Sequence, residues 1–204
     1  MIEVAYAVEG RSDEPVAVKL IEAAGCKPRR VFTAEGKSRL DTKIPGYNQS
    51  AKHRCWLILR DLDHDDQGTC LPDFLKTLAS GEPAPRLALR FAVRAAEAWL
   101  LADAQAFSDF FRVVPRRIPT APDLLDDPKG AVVDVCRTSR SRDVKIAMVP
   151  REGSGRKVGP EYIATIRAFT ADHWDIRRAG NASPSLRRAT ECVERMVKTG
   201  AWSF

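Results

Sequence analysis

No stretch of this sequence approaches the run of roughly 20 apolar residues that a membrane-crossing helix requires, so a membrane-spanning role is not expected. Paired cysteines are missing as well. The five present, Cys26, Cys55, Cys70, Cys136 and Cys192, are scattered, odd in number and form no CxxC pair. That pattern argues against a zinc ribbon or a disulfide frame and predicts a reducing, cytoplasmic setting. The opening MIEVAYAVEG has no basic segment ahead of its apolar run and reads as a first strand, not as a signal peptide. There is no GxxxxGK[ST] phosphate loop, no GxSxG elbow and no HExxH helix, so an intrinsic ATPase, a serine hydrolase or a zinc protease of those types is not expected. Aromatic residues are few, at 7% of the chain, and Trp56, Trp99, Trp174 and Trp202 are read as core and not as base-stacking platforms.

What the chain does have is positive charge: 33 Lys and Arg against 27 Asp and Glu, a formal +6. The arginines clump at 29–30, 116–117, 137–142 (RTSRSR), 177–178 and 187–188. A basic balance raises the local concentration of phosphate and supports nucleic-acid binding, although a solvated, Arg-rich surface gives the same composition.

The 204 residues suit one domain with a helical extension. Residues 2–8 alternate as a strand and end at Glu9-Gly10. Asp13 is expected to cap a helix carrying Pro15 in its first turn and Gly25 past its end. Residues 30–33 predict a short second strand, and 36–53 a helix broken near Pro45-Gly46. CWLILR at 55–60 is a continuous apolar run, the mark of a buried strand, followed abruptly by the acidic string DLDHDD. Residues 71–80 predict a helix, 86–93 a further strand and 95–103 another helix. This alternation predicts an α/β fold with a mostly parallel sheet of about four strands between helices. Beyond it, 104–112 and 129–137 read as helices, 143–158 as a basic, loop-rich stretch, and 160–171 and 184–199 as amphipathic helices. The expected division is an α/β metal-site unit over 1–112 and a mostly helical extension over 113–204, packed on it or forming one domain with it.

The acidic residues stand at strand ends. Glu9 closes the first strand, and Asp61 and Asp63 follow CWLILR. In open parallel sheets ligands gather beyond the carboxyl ends of the strands. Carboxylates crowded there repel one another unless a cation intervenes, and Mg²⁺ or Mn²⁺, which prefer oxygen ligands, are the natural compensation. Gly10 is expected to let the backbone turn sharply and a substrate come close. The plainer alternative is a solvated acidic loop with Asp13 as a helix cap.

VEGRSD at 8–13, followed by a helix and later by a strand ending in DLD at 61–63, resembles the Toprim pattern. In that family a Glu ends the first strand and a DxD ends a later one. Its members include catalytic domains of topoisomerases and primases, the overcoming-lysogenization-defect nucleases, a small ribosomal-RNA-maturing ribonuclease and RecR-type repair proteins. The match covers roughly residues 1–100. RAAEAWLLAD at 94–103, DDPKG at 126–130, GPEY at 159–162 and SPSLRR at 183–188 further resemble an uncharacterised, small Toprim-like prokaryotic family whose members often sit near defence or mobile-element genes. The resemblance implies that Glu9, Asp61 and Asp63 hold a divalent metal, with Glu97 as a further acidic member and Asp13 orienting ligands through the turn. It implies a Rossmann-like sheet and a metal-dependent nuclease acting on DNA or RNA, in phage defence for instance. Its alternative is a non-catalytic nucleic-acid-binding or docking module that works with a separately encoded ATPase or nuclease.

Other residues remain open at this level. Glu97 lies in an apolar helix, where a carboxylate must be paired or protonated, or else faces solvent beside Arg94. Asp103 reads as the end of that helix, and Asp65 and Asp66 as loop carboxylates. His64 lies within the acidic string, where its neighbours would raise its pKa. Lys129 and Lys157 are candidates for contacting phosphate, against the reading of each as an ordinary surface lysine. Tyr6, Tyr47 and Tyr162 carry no signal for a nucleophile.

Overall fold

The computed structural model describes residues 1–63, 71–93 and 95–199, apart from the side chains of Arg30, Val31 and Leu71. His64, Asp65, Asp66, Arg94 and Trp202 therefore lie outside the described residues.

Strands β1 (Glu3–Val8), β2 (Lys27–Thr33), β3 (Cys55–Asp61) and β4 (Leu87–Ala92) form one parallel sheet in the order β2-β1-β3-β4. The architecture is α/β and Rossmann-like, with helices on both faces. Side chains of successive strand residues point to opposite faces, and the sequence supplies apolar residues at both parities. Val4, Tyr6, Val8, Leu57, Leu59, Ala88 and Ala92 join the larger core on one face. Ala5, Ala7, Trp56, Ile58, Leu87 and Leu89 join the smaller core on the other.

The smaller core is closed by α2 (Lys37–Asp41), α3 (Ile44–Ser50) and α4 (Leu71–Ala79), through Leu40, Ile44, Leu75 and the partly buried Leu78. The helix expected over 36–53 is indeed broken, but the break falls at 42–43. Pro45 and Gly46 lie inside the first turn of α3, where a proline's missing N–H costs nothing. Arg60, at 3% exposure, is buried beside this core. It donates twice to the Asp41 carboxylate, at 2.7 and 2.9 Å, and its guanidinium lies over the rings of Phe74 and Phe91.

The larger core is closed by α1 (Glu14–Ala23) and by every helix after β4: α5 (Ala96–Leu101), α6 (Ala104–Phe111), α7 (Pro128–Arg137), α8 (Arg142–Met148), α9 (Tyr162–Asp172), α10 (Ile176–Ala182) and α11 (Pro184–Thr199). This core runs without interruption from β1 residues to Met196. No gap in it marks residue 112. All six residues of α5 are buried. The indole N–H of Trp99 donates to Ser185 of α11 at 2.7 Å, and that of Trp174 donates to the Trp99 carbonyl at 3.1 Å. The C-terminal helices thus jacket α5 and fix its position.

One helix falls where a loop was expected, and another where no element was assigned. Residues 142–148 form α8, inside the stretch read as loop, because Ser141 caps it and Met148 anchors it in the core. Residues 176–182 form α10, capped by Asp175, which accepts from the N–H groups of Arg177 and Arg178 at 2.9 Å each. Gly25, at φ 72°, ends α1 as expected, with the Cys26 N–H donating to the Ile21 carbonyl. No helix among the described residues is long and apolar enough to cross a membrane.

Candidate functional site

The register of the sheet assembles the acidic residues. Val8 of β1 lies beside Leu59 of β3, and Asp61 beside Ala92 of β4, so Glu9, Asp61 and the start of α5 leave the sheet at one carboxyl edge. The Ala96 N–H at the head of α5 donates to Asp61 Oδ1 at 3.0 Å. One residue later, Glu97 turns inward at 1% exposure, which removes the reading of it as a solvent-facing residue.

Asp13 enters from the turn after β1. It stands at the N-cap position of α1, yet its carboxylate does not cap the helix as expected. It folds back instead and accepts from the Gly10 N–H at 2.8 Å and the Ser12 hydroxyl at 3.1 Å, leaving Asp13 5% exposed. The chain turns at Gly10 as expected, the Asp13 N–H donating to the Gly10 carbonyl at 3.2 Å, without a left-handed φ at the glycine. A Cβ there would sit 3.2 Å from Asp13 Oδ2, and glycine is what allows the carboxylate to come so close.

These groups act on one another. Burial raises the pKa of Asp13 to about 7, and the Glu97 charge adds to the effect. Burial also holds Asp61 well above the usual carboxylate range, reinforced by Asp13, Glu97 and Glu9 in turn. Glu9 is raised by burial and then by Asp63, against the opposing hydrogen bond from the Asp61 backbone and the charges of Lys37 and Arg60. Asp63, at φ 49°, pairs with Lys37, and its charge acts on Glu9. Asp61 belongs with Asp13 and Glu97, Asp63 belongs with Lys37, and Glu9 joins the two groups.

Two oxygens in this cluster, Glu9 Oε2 and Glu97 Oε2, are buried with no hydrogen-bond partner among the described residues. A buried carboxylate oxygen left in that state is costly, and a cation or a proton is what relieves it. The donors are all oxygen, the set suited to a hard divalent cation, with Glu9, Asp61 and Glu97 as the residues that would hold it. Among the described residues, no three His, Cys, Asp or Glu side chains stand in a ready-made metal-ligating arrangement. The site fits a divalent cation in charge and donor chemistry, and its side chains would have to draw together to enclose one.

The C-terminal helices contribute the remaining contacts. Lys129, in the first turn of α7, places Nζ 3.4 Å from Glu97 Oε1. Its ammonium is stabilised first by Glu97, then by Asp61 and Asp13. The Tyr162 hydroxyl, at the head of α9, donates to the same Glu97 oxygen at 3.0 Å, and burial followed by the Glu97 charge holds its pKa well above the phenolic value. Tyr162 is the site residue that sequence reasoning missed. The available signal was its place on the buried stripe Tyr162, Ile166, Phe169, where a hydroxyl needs a partner. Lys157 is exposed on the loop before α9 and makes no ion pair among the described residues. Asp103 is structural: 2% exposed, it accepts from Arg178 Nε and Nη2 at 3.0 Å each and from the Asp175 N–H at 2.8 Å.

No protein-family model, curated protein or solved structure matches the chain. The class is therefore the one the fold and site define: a Rossmann-like α/β protein with a buried carboxylate cluster at the carboxyl edge of its parallel sheet.

Proposed function

We propose that the chain is a divalent-metal-dependent phosphodiester hydrolase acting on DNA or RNA, with a Toprim-like site. The observation that carries this reading is the pair of partnerless buried oxygens, Glu9 Oε2 and Glu97 Oε2, within one group of mutually repelling carboxylates. The strand order, with Glu9 after β1 and Asp61 ending the adjacent β3, supports the Toprim reading. In it, Glu9, Asp61 and Glu97 hold Mg²⁺ or Mn²⁺, and Asp63 joins them on release from Lys37. Such a cation, when bound, would supply Lewis-acid activation of a phosphate and of water at neutral pH. Asp13 keeps the turn after β1 closed through Gly10, which positions Glu9. Tyr162 and Lys129 hold Glu97. Exposed cations such as Lys157 neutralise the backbone phosphates of the substrate.

Cleavage of a mixed panel of single- and double-stranded DNA and RNA in Mg²⁺ or Mn²⁺ tests this. Activity abolished in Asp61→Ala and Glu9→Ala, with folding intact, is the expected result. Binding without cleavage, indifferent to both substitutions, contradicts it. That outcome is the second reading, a non-catalytic nucleic-acid-binding or docking module working with a separate ATPase or nuclease. The pairing of Asp63 with Lys37 and the absence of a ready-made ligand set among the described residues favour it.

A further inference from the structure

The carboxylate cluster already has a cation of its own. Lys129 reaches Glu97 Oε1 at 3.4 Å, and its charge also acts on Asp61 and Asp13. Its side chain is 44% exposed while that of Glu97 is 2% exposed, so the ammonium enters the cluster from the solvent side. The Tyr162 hydroxyl anchors the oxygen that Lys129 touches, and the other oxygen of Glu97 is buried without a partner. One carboxylate thus presents one oxygen to protein donors and leaves the other, buried, without a partner among the described residues.

We propose that Lys129 is the resident counter-ion of the cluster, supplying against Glu97 the positive charge for which a divalent cation competes, while Tyr162 anchors Oε1 so that Oε2 stays presented to that cation. This rests on the reading of the cluster as a divalent-cation site. A bound cation repels the ammonium, and the flexible four-carbon stem of lysine lets it turn outward. There it meets the phosphate of an incoming substrate. Lys129 therefore lowers the affinity of the substrate-free protein for metal and couples full occupancy to the arrival of a polyanion. A lysine serving only to hold the fold together would do neither.

The sign of one measurement separates these roles. Mn²⁺ is titrated calorimetrically into the full-length, substrate-free protein at pH 8.5, where proton competition at the carboxylates is reduced. Removing a like charge a few ångströms away in a poorly screened site tightens binding by about tenfold, so Lys129→Met should bind Mn²⁺ that much more tightly than wild type. Lys129→Arg should stay close to wild type, and Tyr162→Phe should bind more weakly. Should Lys129→Met fail to fold, Lys129→Gln carries the same expectation. Unchanged or weaker Mn²⁺ binding in the neutral variant overturns the proposal and leaves the metal site standing. Absence of Mn²⁺ binding in every form, wild type included, overturns both.

Discussion

At the scale of single residues, the site is held together by compensations that titrate. Asp13 has an ordinary pKa of 3.8 and a folded value of about 7. A carboxyl whose folded pKa is raised binds its proton more tightly in the native state. The stabilisation it gives is fully present below the unfolded value and is lost as pH rises through the folded one. The chelated protein should therefore lose thermal stability across the window from about pH 4 to about pH 7. Asp61 and Glu9 act in the same direction. Asp13→Asn should flatten that decline in EDTA, and Mg²⁺ should restore the wild-type midpoint most at the alkaline end. Melting curves with and without EDTA from pH 5 to pH 8 measure both effects. Asp103 differs, being fully compensated by Arg178 and two backbone N–H groups. Asp103→Ala orphans those donors and should lower unfolding free energy by about 2–4 kcal/mol without changing Mn²⁺ affinity. Denaturant unfolding and a metal titration of the same variant check the two halves of that statement.

At the scale of elements, the site depends on how α8 meets α9. The Gly159 N–H donates to the Met148 carbonyl at 3.0 Å, and the Glu161 N–H donates to the Ala147 carbonyl at 3.0 Å. A Cβ at Gly159 would lie 2.3 Å from the Ala147 carbonyl oxygen and 2.5 Å from the Met148 carbonyl carbon. Those are backbone atoms, which cannot swing aside. Gly159→Ala should destabilise the chain by about 1–3 kcal/mol, the usual range for overpacking, and should loosen Tyr162 from Glu97. Denaturant unfolding measures the first effect and the ultraviolet titration of the tyrosines the second.

The same scale explains what the sequence made legible. Strands β1, β3 and β4 were readable from their apolar runs, whereas β2 begins at Lys27, three residues before the expected 30–33, because Lys27, Pro28 and Arg29 carry no apolar pattern. The acidic residues were readable because Glu9 and Asp61 fall where strands end, and Glu97 because a carboxylate in AAEAWLLAD has to be compensated. Helix α10 was not, since IRRAGNA buries only Ala179 and carries Gly180 and Asn181 against its helical state. Helix α8 is short and followed at once by Pro150, which hides it within a polar stretch. Tyr162 was legible at most as a buried hydroxyl in need of a partner, and its pairing with Glu97 was not, because the two lie 65 positions apart. Asp13 was legible as a helix start, but its carboxylate's turn back to the Gly10 N–H follows from tertiary burial, which no local pattern records.

For the whole molecule, the division of labour follows the sheet. Helices α2 to α4 close one face and carry Lys37, which engages Asp63 at the outer edge of the site. The helices after β4 close the other face and bring Lys129 and Tyr162 to Glu97. The acidic cluster therefore needs both ends of the chain. We propose that the carboxyl edge of the sheet binds a divalent cation through Glu9, Asp61 and Glu97. Mn²⁺ titration of wild type beside Glu9→Gln, Asp61→Asn and Glu97→Gln, each verified as folded by circular dichroism, tests it most directly. Saturable binding in wild type, lost or weakened by at least about tenfold in every amide variant, is the predicted result. Saturable binding that all three variants retain at wild-type strength, or none in wild type, would contradict it.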